Sequence, residues 1–281
     1  MYKKPSLPKQ VLIYIGMTVV ALIFMFPLIW MIVSSFKDDA MIFSDITSLK
    51  AFAPAFKEDV FFNYKEVISK LPLVKAMLNS LSYIIVIIAL GLIVNSMAGY
   101  AFARLKFPKK NLLFALILAV MIIPAQTVML PQFSIIYKMG LSNSYLALIL
   151  PAIASPMYIF LFRQNFMGIP ESIEEAAKLD GASAIRTFFQ LIVPLAKPVY
   201  ATVGILVFIA CWNDFVWPVM VISDNSKQTI QMALSSLFSI QPVNYGNVMA
   251  GLTLVTIPVL IIFLSLQKYY VAGIASTGAK N

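Results

Sequence analysis

The sequence predicts an all-α protein that crosses a membrane six times. Two observations lead there first. Of its 281 residues, 60% are hydrophobic and only 12% are charged, too little polar surface to cover a water-soluble globule. Apolar stretches recur, each long enough to cross a hydrocarbon core of roughly 30 Å. The third observation is the placement of Lys and Arg. With both termini inside, 13 of the 21 fall on the cytoplasmic side. Six of the remaining eight lie in one long external loop among six acids, and two shorter external loops carry one each. This positive-inside pattern explains the net charge of +9 without nucleic acid.

The spans follow in order. Lys3, Lys4 and Lys9 precede the apolar run Val11 to Ser34, which exceeds the roughly 7–15 residues of a signal-peptide core and reads as a retained first span. Phe36 to about Lys75 is the mixed-charge external loop. Within it, the near-helical spacing of Phe61, Phe62, Tyr64, Val67, Ile68 and Leu71 predicts a short interfacial helix. The second span runs from about Leu78 to Phe102 and closes on Arg104, Lys106, Lys109 and Lys110. The third begins near Leu112, bends at Pro124 and ends near Pro131. The fourth covers about Tyr145 to Phe162, with Pro151 and Pro156 inside it. The fifth runs from about Val199 to Ile222 and the sixth from about Val248 to Leu266, before a tail carrying Lys268 and Lys280.

Between the fourth and fifth spans lies a polar stretch, residues 166–198, with the pattern of a helical hairpin. Pro170 suits the first helical position, and Glu171, Glu174 and Glu175 sit where the helix dipole favours negative charge. Glu174 and Lys178 make an i,i+4 pair in the better orientation. Gly181 follows Asp180 as a C′ glycine, and Ser183 can cap a second short helix that stops before Pro194. Ala176, Ala177 and Gly181 leave one side bare enough for a partner to approach closely. Helix chemistry alone equally fits an amphipathic helix lying on the membrane surface.

Glu175-Ala176-Ala177, three residues, Gly181, nine residues, then Leu191-Ile192-Val193-Pro194 resembles the Glu-Ala-Ala loop of ABC importer permeases. Leu191 and Val193 depart from its usual Ile and Leu. Asn79-Ser80, Gly99 to Phe107, Met121 to Pro124, Leu148 to Pro151, Arg163 to Phe166 and Cys211 to Pro218 extend the resemblance to the six-span subunit of carbohydrate importers. It implies the type I ABC importer permease fold, with one membrane domain over residues 1–281, a core over 72–268 and the hairpin as a cytoplasmic coupling helix. It implies a bacterial or archaeal cell membrane. It also implies a second permease subunit of similar fold, two ATPase subunits, an extracytoplasmic solute-binding protein and a sugar substrate. Glu174, Glu175, Ala176, Ala177, Asp180, Gly181 and Pro194 are then the ATPase-coupling residues.

No Gly-x-x-x-x-Gly-Lys-Ser/Thr loop occurs, so if transport is ATP-driven, as the resemblance implies, ATP and Mg belong on partner chains, and no cofactor or metal is expected on this one. The chain has no histidine, and its single cysteine, Cys211, lies in an apolar run, which leaves no evident catalytic group or metal site. For the translocation path the candidates are Gln126, Trp212, Asn213 and Asp214. Amide and carboxylate groups beside aromatic faces suit a sugar. Alternatively, Asn213 and Asp214 cap a broken helix before Pro218, with the tryptophans as interface anchors. Gln126 can instead satisfy backbone groups freed by Pro124. Asn95 and Ser96, beside Gly91 and Gly99, fit close helix packing with interhelical hydrogen bonds. In the loop from about Ser223 to Asn247, Gln241, Asn244 and Tyr245 are the candidate contacts with the binding protein. Two other readings are the same machine for another solute (an amino acid, polyamine or phosphate) and a transporter working alone. The latter usually shows repeats or buried ionisable groups, whereas Asp214 is the only acid within a span.

Overall fold

The computed structural model describes residues 6–44, 52–53 and 59–278. Lys3, Lys4, Lys280 and the stretches 45–51 and 54–58 of the external loop lie outside them. Among the described residues all regular structure is helical. In lipid this is the expected solution, because each helix satisfies its own backbone.

The first span is α1 (Leu7–Ser34), followed by the short α2 (Asp39–Ser44) and by α3 (Phe62–Lys70), the helix predicted from apolar spacing. The second span, α4 (Leu73–Arg104), starts earlier than Leu78, directly after Pro72, which punctuates the chain. The third divides into α5 (Lys110–Val120) and α6 (Ala125–Lys138), bent by 99° with Pro124 as the cap of α6. Pro131 does not end this span. It lies inside α6, which continues to Lys138.

The fourth span is α7 (Tyr145–Ala152) and α8 (Pro156–Met167), bent by 42°. The hairpin is α9 (Glu171–Leu179) and α10 (Ala184–Leu195). The chain then turns by 80° into α11 (Lys197–Trp212). The fifth span is interrupted at residues 213–215 before α12 (Val216–Val221). Beyond α13 (Ile230–Ser235), the sixth span is α14 (Tyr245–Gly278), longer than predicted. The unbroken α1, α4 and α14, the bent pairs α5–α6 and α7–α8, and the interrupted α11–α12 therefore make the six spans.

The contacts divide the chain into two compact units, residues 1–74 with 233–257, and residues 75–232 with 258–281. In the first, buried Asn63 donates to the carbonyls of Ser35 and Lys37, both at 2.9 Å, and Asp39 accepts the Gly246 N–H at 2.9 Å. The second unit holds the hairpin. Its helices approach closely where side chains are small. A Cβ on Gly99 would stand 2.6 Å from the Cβ of Phe162. Asn95, wholly buried, donates to the Ile153 carbonyl at 2.8 Å and accepts the Ser155 N–H at 2.8 Å. That is the interhelical bonding predicted for it.

Candidate functional site

The hairpin is built largely by local chemistry. The Gly181 N–H bonds to the Lys178 carbonyl at 3.0 Å and the Ala182 N–H to the Ala177 carbonyl at 2.9 Å, the paired bonds of a Schellman ending. Gly181 has φ +77°, as a C′ glycine should. Ser183 Oγ accepts the Arg186 N–H at 3.3 Å and caps α10. Two details differ from the sequence reading. Pro170 occupies the N-cap, one position before the first helical residue. The second helix does not stop before Pro194, because a π turn over Phe188–Ile192 widens the backbone just ahead of it. The wide turn changes the bonding register where proline has no N–H to give.

Of the seven candidate coupling residues, Glu175, Ala176, Asp180, Gly181 and Pro194 are exposed, while Glu174 and Ala177 are buried. Leu179, at the end of α9, stands 90% exposed and Ile185, near the start of α10, 68%, an apolar rim at the turn of the hairpin. Between α9 and α10 opens a cleft of about 550 Å³, lined by Ala176, Ala177, Asp180, Ala182 and Arg186 among others. Of the small residues that leave one side bare in the sequence, Ala176 and Ala177 form part of its wall and Gly181 does not.

Glu174 corrects the sequence reading. Its carboxylate turns inward rather than toward Lys178 and takes Arg104 and Tyr100 as partners. Arg104 Nε lies 2.8 Å from Glu174 Oε1, with the two side chains 7% and 8% exposed, and the Tyr100 hydroxyl donates to Oε2 at 2.9 Å. Arg104 also reaches Glu171 at 3.3 Å and donates to the carbonyls of Phe166, at 2.7 Å, and Ile169. Tyr100 packs against Phe166 and Phe188. Removing one partner of such a buried pair costs about 3–5 kcal/mol. In the sequence Arg104 belongs to the basic end of the second span and to the Gly99 to Phe107 segment, with no partner assigned to it. Its i,i+4 spacing from Tyr100, which puts two polar groups on one helix face, was the signal available.

Within the spans a cavity of about 220 Å³ opens. Asp214 lines it, together with Tyr83, Gln132, Cys211 and Trp217. Gln126 does not, being exposed. On α6 the cavity face is Ala125, Val128, Met129 and Gln132, a single helical stripe. Asp214 also accepts the Trp217 N–H at 3.3 Å, so it caps α12 while facing the cavity. Asn213 is exposed and donates back to the Ile209 carbonyl at 2.9 Å. The tryptophans are not interface anchors. Trp212 is 1% exposed and stacks on Phe208, and Trp217 donates its indole N–H to the Ala147 carbonyl at 3.0 Å.

The loop after α12 is held by residues that sequence reasoning missed in this role. Asn79 donates to the carbonyls of Ser226 and Gln228, both at 3.0 Å, and Ser80 Oγ accepts the Ile230 N–H at 2.8 Å. Asn143, in the left-handed region at φ 60°, accepts the N–H groups of Ser223 and Asp224. Further on, Gln241 and Asn244 line a pocket of about 280 Å³ whose wall mixes polar and apolar side chains. Tyr245 instead meets Phe43 edge-on at 5.0 Å.

Residues 87–276 match the family described as the binding-protein-dependent transport system inner membrane component. The chain belongs to that family. Relatives of this inner membrane component include the arabinooligosaccharides transport system permease protein AraQ of Halalkalibacterium halodurans, 34% identical with all of both chains covered. The lactose transport system permease protein LacG of Rhizobium radiobacter is 33% identical over 92% of this chain and 93% of its own. A chain in the crystal structure of a bacterial ABC transporter involved in importing the acidic polysaccharide alginate shares the fold. Its TM-score is 0.82 at 22% identity, covering 96% of this chain and 100% of that one.

Proposed function

We propose that this inner membrane component is the permease subunit of an ATP-driven importer of sugars or oligosaccharides. It forms half of the translocation path beside a second permease of similar fold. Two ATPase subunits hydrolyse ATP with Mg on their own chains, and an extracytoplasmic binding protein delivers the solute near Gln241, Asn244 and Tyr245. This chain itself is non-catalytic. Both termini lie in the cytoplasm, as the Lys and Arg distribution supports, and the 281 residues act as one membrane domain.

The observation that carries the reading is the hairpin. Exposed Glu175 and Asp180, the apolar rim of Leu179 and Ile185, and a cleft walled by alanines suit a docking partner with basic and apolar groups. A chain without a phosphate-binding loop needs such a partner if ATP drives it. The sugar class rests on the relatives named for arabinooligosaccharides and lactose.

The test is copurification of the expressed gene cluster, followed by uptake of arabinotriose and lactose into vesicles. Glu175→Lys removes a docking charge, and Gly181→Leu sets a side chain at φ +77° at a strain of about 1–2 kcal/mol. Both variants should insert normally and lower uptake by roughly tenfold, the effect of about 1.4 kcal/mol of lost contact. Absence of any ATPase chain with the wild-type protein, or normal uptake in both variants, overturns the reading.

A further inference from the structure

Arg104 stands behind the docking face and not on it. Its side chain is buried, and its guanidinium engages the Phe166 carbonyl at the end of α8, the Ile169 carbonyl in the linker, and Glu171 and Glu174 in the first turn of α9. One side chain thus grips both ends of the entry into the hairpin. Tyr100, one turn earlier on α4, adds a bond to Glu174 and packs on Phe188 of α10.

The helix behind this grip differs from its neighbours. The pairs α5–α6, α7–α8 and α10–α11 bend by 99°, 42° and 80°, and such breaks absorb displacement. By contrast, α4 is continuous from Leu73 to Arg104 and holds no proline. Tyr83 and Ile87 on this helix line the membrane cavity, and the Tyr83 hydroxyl donates to the Cys211 carbonyl at 3.2 Å. At a rise of 1.5 Å per residue, Arg104 and Tyr83 are about 31 Å apart along one rod.

We propose that Arg104 is a positioning residue that passes movement of the hairpin into α4, and through α4 to the cavity at Tyr83. This rests on the functional reading above, in which ATPase subunits dock on the hairpin, and adds that their ATP cycle moves it. Arginine suits the task because its planar fork holds several oxygens in fixed directions, whereas a lysine ammonium is a single mobile point charge. Pulling on α9 then moves α4 before the Glu174 contact yields, since separation would strand a charge in a dry site.

The test uses the assembled importer, with its partner permease, ATPase subunits and binding protein, in lipid vesicles. Cys211, the only cysteine of this chain, lines the cavity and reports on it through its rate of reaction with a maleimide, read on its own peptide by mass spectrometry. In the wild type, trapping with ATP and vanadate should change that rate by roughly tenfold. Arg104→Gln should keep copurified ATPase and ATP hydrolysis while abolishing the change at Cys211, and Arg104→Lys should keep part of it. Glu174→Gln preserves shape and the Tyr100 bond but removes the charge, and should behave as Arg104→Gln does. It also serves if the Arg104 variants fail to assemble.

A wild-type response at Cys211 in Arg104→Gln, or in Glu174→Gln where the former does not assemble, overturns the proposal and leaves the importer reading intact. Loss of ATPase from the Arg104→Gln complex with Glu174→Gln responding normally also overturns it, since Arg104 is then only a structural tie. No response in the wild type also overturns the proposal, since the cavity then does not follow the hairpin, and leaves the importer reading to the copurification test.

Discussion

Gly99 is a position where one added methyl group should destabilise the protein. A Cβ there would stand 2.6 Å from Phe162 Cβ, 3.0 Å from the Arg163 nitrogen and 3.1 Å from the Ile159 carbonyl oxygen. Two of these atoms are backbone and the third is the root of a wholly buried ring, so no flexible tip can move aside. Relief requires α4 and α8 to separate by about 1 Å, which loosens contacts along both helices. Overpacking of this kind costs about 1–3 kcal/mol, and the better helix propensity of alanine returns at most about 1 kcal/mol. Gly204→Ala is the control, because its Cβ would meet only Ile88 Cγ2 at 4.0 Å. Purified in detergent and heated, Gly99→Ala should lose its monodisperse peak roughly 2–12 °C below Gly204→Ala, which gains the same helix propensity without the clash. Equal melting of the two variants would refute the reasoning.

Other substitutions probe the polar joints. Asn95→Leu strands the Ile153 carbonyl and the Ser155 N–H and should cost about 2–5 kcal/mol, far more than Thr202→Val, whose hydroxyl bonds only its own helix at Pro198; the same melting assay compares them. Asp224 is held below the usual carboxylate range, chiefly by the Ser226 N–H and then by its hydroxyl. Because its folded pKa is depressed, its support of the loop is complete above about pH 4 and fades as pH falls through the lower folded value. Hydrogen exchange at Ser226 and Lys227 should therefore accelerate, beyond the intrinsic pH effect, over that acid range. Asp224→Asn should remove the acid dependence.

What was legible in the sequence is what neighbouring residues decide among themselves. Gly181 as a left-handed C′ glycine, Ser183 as a cap and α3 from its apolar spacing needed only local chemistry. The six spans were legible for a related reason. Lipid offers no partner to an unpaired backbone group, so every long apolar run becomes a helix whatever surrounds it.

Tertiary structure alone decided which polar groups meet. Glu171, Glu174 and Glu175 are chemically alike, and Glu174 turns inward because Arg104, seventy positions earlier in the chain, arrives beneath it. Gln132 faces the cavity and Gln126 does not, because the 99° break at Pro124 sets the orientation of α6. The tryptophans lie inside rather than at the membrane surface, Trp217 because its indole N–H finds the Ala147 carbonyl and Trp212 because its ring packs on Phe208. Periodicity records which face of a helix is apolar, but a polar side chain's partner is set by where other helices pass, and no spacing along the chain encodes that.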